Sequence, residues 1–400
     1  MTETSPAPEP PAALPDAPTR EADARRYART RRLLLLAHLA IVTAGLVLLL
    51  LFGLHFALRD ALAFASWEPL ARWQPLRVLL FFVALFVAQA LIDLPFSWLG
   101  GYRLPHRYGL STQRARAWAL DELKGFVLGL AFEGALIVGL YALLATSPTL
   151  WWLWAGLLLV VVTVLLVQLT PVLLLPLFNK LIPLPDGEVR RRALALAARA
   201  KTPVREVFSI DLSRRTTAAN AAVIGLGRTR RIIIGDTLLS QFTPDEIEVV
   251  VAHELGHQVR HDIVLLIVSQ SIIMLAALFV AHLALDWAVA TLPGYHGLAD
   301  PATLALLVIV LGLAGLVTLP LVNGLSRRVE QRADGYALSL THDAPAFISA
   351  MHRLADQNLD DATPSPWVEF FLLDHPSTGR RIAYGKRWAT EHPGEASEPA

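Results

Sequence analysis

Across 400 residues this sequence is 54% hydrophobic and only 17% charged, with a mean hydropathy of +0.48. A soluble chain averages about a quarter charged, so the composition excludes an ordinary soluble protein and points to one embedded in a membrane. A net charge of +1 offers no grip for nucleic acid, and with no cysteine there are no disulfides and only His, Asp and Glu to hold a metal.

The chain opens on MTETSPAPEPPAALPDAPT, a Pro- and Ala-rich stretch that cannot bury a core and is expected to be disordered. A basic lead, READARRYARTRR, follows and completes a tail over residues 1–32. The apolar run at 33–58 is too long for a signal-peptide core and lacks a small-residue cleavage site, so it reads as a retained span. Further stretches at 76–98, 123–145, 150–175, 263–289 and 302–321 also reach the roughly 20 apolar residues that a bilayer requires. The count of spans is therefore about six, four of them in residues 33–175.

Loop charges supply an orientation. Arginines cluster ahead of the first span, between the second and third (Arg103, Arg107, Arg114, Arg116), after the fourth (Arg190, Arg191, Arg192) and after the sixth (Arg327, Arg328, Arg332). The alternate loops are poor in Lys and Arg, which puts both termini and residues 176–262 in the cytoplasm. Three weaker signals sit in the spans. Glu133, Asp93 and Gln89 are polar groups in apolar surroundings, expected either to line a cavity or to serve helix contacts or snorkelling. Trp151, Trp152 and Trp154 read as an interfacial aromatic belt.

The cytoplasmic segment has its own pattern. EVRRRALALAARAK (188–201) reads as an amphipathic helix. VREVFSIDL, NAAVIGLG and RIIIG are β-branched runs, and a turn at 227–230 joins the last two into a hairpin within a small sheet. Thr243, Pro244 and Glu246 then form a capping box that opens a helix.

That helix carries His253-Glu254-Leu255-Gly256-His257. Residues i and i+4 share a helical face, so both imidazoles can meet one ion while Glu254 stands beside it. The bland alternative is two histidines on an ordinary helix. Gly256 costs such a helix about 1 kcal/mol, which a close approach by another element would explain. Catalytic zinc takes three protein ligands, and Glu330 in SRRVEQRADGYALSL is the candidate third. This stretch reads as a helix just after the sixth span, with Asp334 one turn on and able to fix the tautomer of a ligand imidazole. A solvated, charged helix end is the competing reading of Glu330, Arg328 and Arg332.

LPLFNKLIPLPDGEVRR (175–191), NAAVIGLGRTRRIIIGDTLL (220–239), HELGH, EQRAD and DHPSTGRRI (374–382), in this order, resemble the type I CAAX prenyl endopeptidases. These are integral-membrane zinc metallopeptidases of the gluzincin group. The similarity runs from about residue 33 to 388. The resemblance implies a mainly α-helical polytopic membrane protein whose cytoplasmic zinc peptidase domain, residues 176–388, contains a small β-sheet and the last two spans, followed by a disordered tail at 389–400. It implies one Zn(2+) per chain held by His253, His257 and Glu330, with Glu254 as general base and Asp334 supporting a ligand. It further implies that Asn220 holds the substrate backbone and that His375 and Arg381 lie at the catalytic centre, on the oxyanion or the substrate's carboxyl end. The departure is in the spans, six here where eukaryotic relatives have seven.

The expected activity is hydrolysis of peptide bonds in membrane-tethered or apolar peptides at the cytoplasmic face, in a bacterial inner membrane. Processing of CAAX proteins and quality control of membrane proteins are the two candidate tasks. An intramembrane site-two-type protease would need the motif deep in a span, whereas TPDEIE and Arg260 flank it here. A non-catalytic metal-binding scaffold or transporter would have no use for Glu254.

Overall fold

The computed structural model describes residues 17–65, 73–225 and 230–393. Most of the stretch expected to be disordered at the N-terminus, nearly all of the turn at 227–230 and the end of the C-terminal tail lie outside the described residues. Helices dominate. α1 (Ala17–Leu51) joins the basic lead and the first span in one rod, and α2 (Leu54–Ala65) follows. α3 (Gln74–Phe96) runs on through a π-helical stretch, Ser97–Arg103, as far as Arg107. α4 (Ala115–Thr146) and α5 (Trp151–Leu169) complete the N-terminal bundle.

The next segment builds the sheet. β1 (Leu181–Pro183), α6 (Glu188–Arg199), β2 (Glu206–Ile210), β3 (Ala221–Ile224) and β4 (Arg231–Gly235) give a four-stranded sheet ordered β1-β2-β4-β3. β3 and β4 pair antiparallel, Val223 opposite Ile232, as the expected hairpin requires. β2 lies parallel to β4, and β1, in a stretch not read as a strand from sequence, adds an antiparallel edge. After α7 (Asp236–Gln241) comes α8 (Pro244–Val259) with the HELGH motif. α9 (Asp262–Thr291), α10 (Thr303–Thr341), α11 (Ala344–Asn358), α12 (Pro366–Leu372) and α13 (Thr378–Glu391) end the chain.

Six described helical stretches are long and apolar enough to cross a bilayer, and they fall on the six apolar runs of the sequence. Their lipid-ward residues stay uncovered by protein, as bilayer-facing residues do, with Ile272 63% and Val317 75% exposed. Phe81, Tyr141, Leu285 and Leu307 pack between the helices. Trp151 joins them fully buried, so it is a packing residue and not part of an aromatic belt; Trp154, 48% exposed, keeps that reading. The difference arises because α5 packs closely on α9, where a Cβ at Gly156 would collide with Leu275. At the end of the bundle away from α8, Arg59 and Asp300 pair at 2.6 Å, both buried, and fasten α2 to the loop between α9 and α10.

α10 corrects one expectation. The sixth span and the EQRAD stretch are one continuous 39-residue helix. At 1.5 Å per residue it is about 58 Å long, roughly twice the ~30 Å hydrocarbon core, so its C-terminal half emerges from the bilayer. Pro320 removes one backbone donor without ending it, which neighbouring groups in a helix bundle can absorb. Outside the membrane a second core forms where Val207, Ile232 and Ile234 of the sheet meet Val251 and Leu255 of α8 and Phe347 of α11, all 0% exposed.

Candidate active site

α8 is held at both ends. The capping box is present, with Thr243 N–H donating to Glu246 Oε2 at 2.9 Å and Glu246 N–H donating to Thr243 Oγ1 at 3.3 Å. Near the far end the buried Gln258 Nε2 donates to the backbone carbonyl of Val223 at 2.9 Å, docking the helix against the edge strand β3. Gly256 meets α10: a Cβ there would come 3.1 Å from Tyr336 Cδ1 and 3.4 Å from Ala333 Cα. This is the close approach that the helix-interior glycine called for, and it lets α10 bring Glu330 against the two histidines.

His253 Nε2 and His257 Nε2 face each other at 3.3 Å. Glu330 joins them, Oε2 at 3.2 Å from His253 Nε2 and Oε1 at 3.5 Å from His257 Nε2. One donor atom from each residue falls within 4.8 Å of the others, so the three could hold a metal ion. The outer nitrogens decide the tautomers. His253 Nδ1 lies 2.9 Å from Asp334 Oδ1 and His257 Nδ1 3.1 Å from Asp262 Oδ2. A carboxylate can only accept, so each Nδ1 carries the proton and each Nε2 turns a lone pair inward. Arg381 Nη2, 3.3 Å from His253 Nδ1, is the weaker contact there. With both imidazoles neutral, the result is two lone pairs and a carboxylate converging on one point, Glu330 Oε2 lying buried 3.2 Å from His253 Nε2. A divalent cation satisfies such a set, and the donors fit zinc. Burial alone would lower the His253 pKa, but the hydrogen bonds to Asp334 and Glu330 outweigh it and raise it to about 9. The same acceptors would hold either a proton or a metal, so the two compete for Nε2.

The surrounding groups are charged and partly enclosed. Arg381 grips Asp334 with two hydrogen bonds, Nε to Oδ2 at 2.9 Å and Nη2 to Oδ1 at 2.6 Å. Burial works against its charge, but Asp334, Glu330 and Glu254 hold its pKa raised. His375 Nε2 is 3.3 Å from Glu330 Oε1; its partner Asp374, 2.9 Å from Nδ1, raises its pKa against the effect of burial. Burial raises the Glu254 pKa, more than the nearby histidines and Arg381 lower it.

Glu254, His253, Glu330, His375, Arg381 and Asn220 all line one cavity of about 710 Å³. The structure thus gathers these candidate site residues, with His257 and Asp334 joined to them through Glu330 and His253. Glu133, Asp93 and Gln89 do not line it. Asp93 instead accepts from Gln89 and pairs with His38 of α1, each at 2.6 Å, an interhelical contact.

Two contributions were missed from sequence. Asp262, just past the motif at the start of the fifth span, is 1% exposed and holds both His257 and Arg332, the latter at 3.0 Å. His261 at φ 55° turns the chain between α8 and α9 and swings Asp262 back under the motif. The other is α1, whose Tyr27, Arg31, Arg32 and Leu35 form one cavity wall. We expect Asp262→Asn to keep the metal with affinity weakened about 10–100-fold, as for other supports of metal ligands, measured by competition with a chelator. Wild-type affinity would reduce Asp262 to a packing role.

Comparison with known proteins follows the same blocks. A family model described as peptidase family M48 matches residues 183–389. The chain belongs to peptidase family M48. A second model, CAAX prenyl protease N-terminal, five membrane helices, matches residues 5–180. The chain is 30% identical over 313 residues to an uncharacterized metalloprotease, YhfN of Bacillus subtilis, covering 77% of this chain and 72% of that protein. It is 29% identical to CAAX prenyl protease 1 of Saccharomyces cerevisiae, covering 74% and 68% of the two chains. The crystal structure of S. mikatae Ste24p shares the fold, with a TM-score of 0.82 at 23% identity over 96% of this chain and 92% of that one. This M48 member is therefore a multi-pass membrane metalloendopeptidase.

Proposed function

We propose that the protein is a zinc-dependent endopeptidase that cuts membrane-tethered or strongly apolar peptides at the cytoplasmic face of a bacterial inner membrane. The observation that carries this is the convergence of His253, His257 and Glu330 donor atoms beside Glu254, in a cavity walled on one side by a membrane helix. One zinc ion on those three residues would polarise the scissile carbonyl and acidify the attacking water. Glu254, with its carboxyl pKa pushed up by burial, takes the proton from that water and passes it to the leaving amine. Asp334 and Asp262 keep the imidazoles in their ligating tautomer. His375, whose pKa Asp374 raises, lies 3.3 Å from Glu330 and can steady negative charge on the substrate. Arg381 is committed to Asp334, so it acts by fixing the His253 support and by its field. Asn220, which lines the cavity just ahead of the edge strand β3, holds the extended peptide backbone in this reading.

The Bacillus relative and the Ala- and Arg-rich composition support a bacterial membrane. The substrates are peptides that reach the cavity past Leu35 and Arg31 of α1, from the bilayer side. CAAX-like C-terminal processing is the reading nearest to the named relatives. Release of peptides from membranes holding the wild type or Glu254→Gln, followed by mass spectrometry, tests the activity and reveals the substrates together.

Orientation is testable because the chain has no cysteine of its own. Single cysteines at Ser240 and Thr390, both exposed, are expected to resist a membrane-impermeant thiol reagent in intact cells, while one at the exposed His296 reacts. The reverse pattern would turn the active site outward.

A further inference from the structure

Behind the Asp334–Arg381 pair lies a second cavity of about 750 Å³, between α10, α12 and α13, that does not reach the metal-site histidines. Its polar wall is cationic. Arg327, Arg328, Arg380, Arg381 and Arg387 face it, against only Asp334 and Glu369. Arg381 is taken by Asp334, and Arg380 pairs with Glu369 at 3.3 Å. Arg327 donates to backbone carbonyls of α12, including that of Glu369 at 2.8 Å. Arg327, Arg328 and Arg387 thus have no acidic partner among the described residues. Unbalanced guanidinium groups sharing one cavity suit an anion, above all a phosphate.

The cavity also has an apolar approach. Its floor includes Leu321 and Leu325 of α10 and Phe370 of α12. Leu313, Val317 and Leu321 recur every four residues on one face of α10, and Arg328 lies about two turns further on. They are 53%, 75% and 67% exposed, in the part of α10 that crosses the membrane. Trp367 and Phe370 of α12, 73% and 48% exposed, sit where aromatic side chains mark the headgroup level. The fold therefore brings together an acyl-sized apolar stripe on α10, an aromatic rim on α12 and arginines of α10 and α13 that lack an acidic partner among the described residues. Glu369, which lines the cavity, adds a buried Oε1 without a hydrogen-bond partner. A headgroup bearing a hydroxyl could donate to that acceptor.

We propose that this cavity binds an anionic phospholipid, its phosphate held by Arg327, Arg328 and Arg387 and its acyl chains laid on the Leu313, Val317 and Leu321 face of α10. Because Arg381 and Asp334 form the wall shared with the active site, the lipid also braces the support of His253.

The test is native mass spectrometry of the full chain released from detergent, titrated with phosphatidylglycerol, phosphatidylcholine or inorganic phosphate. Phosphatidylglycerol is expected to bind at least about tenfold tighter than phosphatidylcholine, since arginines near the headgroup favour its net negative charge. The doubly substituted Arg328→Gln/Arg387→Gln protein should lose that preference while its binding of phosphatidylcholine stays unchanged. Both arginines are exposed, so folding should survive, and an unaltered melting temperature checks this. Val317→Gln, on the apolar stripe, should weaken phosphatidylglycerol without abolishing its preference over phosphatidylcholine. Equal binding of the two lipids, or full phosphatidylglycerol affinity in the double variant, overturns the site. Displacement of phosphatidylglycerol by equimolar inorganic phosphate shows an anion site without a lipid and overturns it equally.

Discussion

Glu254→Gln is expected to retain the metal and the fold while losing at least about a hundredfold in turnover, because general-base catalysis typically contributes about 10²–10⁴-fold. Glutamine keeps the volume and one acceptor but cannot take a proton. Nothing else should change: Glu254 makes no contact that positions His253, His257 or Glu330, whose supports are Asp334, Asp262 and the packing of Gly256 on α10. The measurement pairs peptide release with metal content on the same preparation. Turnover within about threefold of wild type, with metal present, would move the base elsewhere, since that loss is far below the range for a lost general base. A drop in metal content would instead make Glu254 part of the metal's support.

What the sequence disclosed tracks the range of the interactions. The HELGH pair was legible because helical spacing alone puts His253 and His257 on one face, and the capping box because Thr243 and Glu246 are three residues apart. The spans were legible because a bilayer imposes a composition. The cost of Gly256 predicted a close neighbour without naming it; only the structure shows that Tyr336 and Ala333 of α10 are the reason. Glu330 stood out through its spacing to Asp334 and through the resemblance, since a charged helix end reads equally well as solvated surface.

Asp262 was missed for a physical reason. Five residues from His257 on an unbroken helix, it would point away from the site. The left-handed turn at His261, where no glycine signals it, brings the carboxylate back. The α1 wall depends on contacts between Tyr27 and residues more than 300 positions later, such as Leu359, and no local pattern encodes those. The parallel pairing of β2 with β4 was equally hidden, because α6 and the strands give no hint of which edges meet.

The other large effect is expected at Glu330. Glu330→Ala should bind no stoichiometric zinc and show no peptidase activity, because two imidazoles alone fall one short of the three protein ligands of a catalytic site. Asp334→Asn should keep zinc, with affinity weakened about 10–100-fold. The two variants also differ without metal. Asp334 pairs the guanidinium of Arg381, whose side chain is 15% exposed, so its loss leaves a mostly buried cation uncompensated at a cost of about 3–5 kcal/mol. Among the described residues Glu330 contacts the imidazoles of His253, His257 and His375, which can shed a proton when it is removed, so its loss should cost the chelator-treated protein less. Melting with chelator present should therefore separate a ligand from a support: a large drop for Asp334→Asn and a small one for Glu330→Ala, with the order of zinc affinities reversed. The spans within Asp262–Thr291 and the N-terminal half of Thr303–Thr341 lie between the histidines and the EQRAD stretch, and two crossings return Glu330 to the side on which His253 and His257 stand. If Glu330→Ala held zinc as tightly as the wild type, the third ligand would have to come from elsewhere in the cavity. His375, 3.3 Å from Glu330 Oε1, would be the first to substitute.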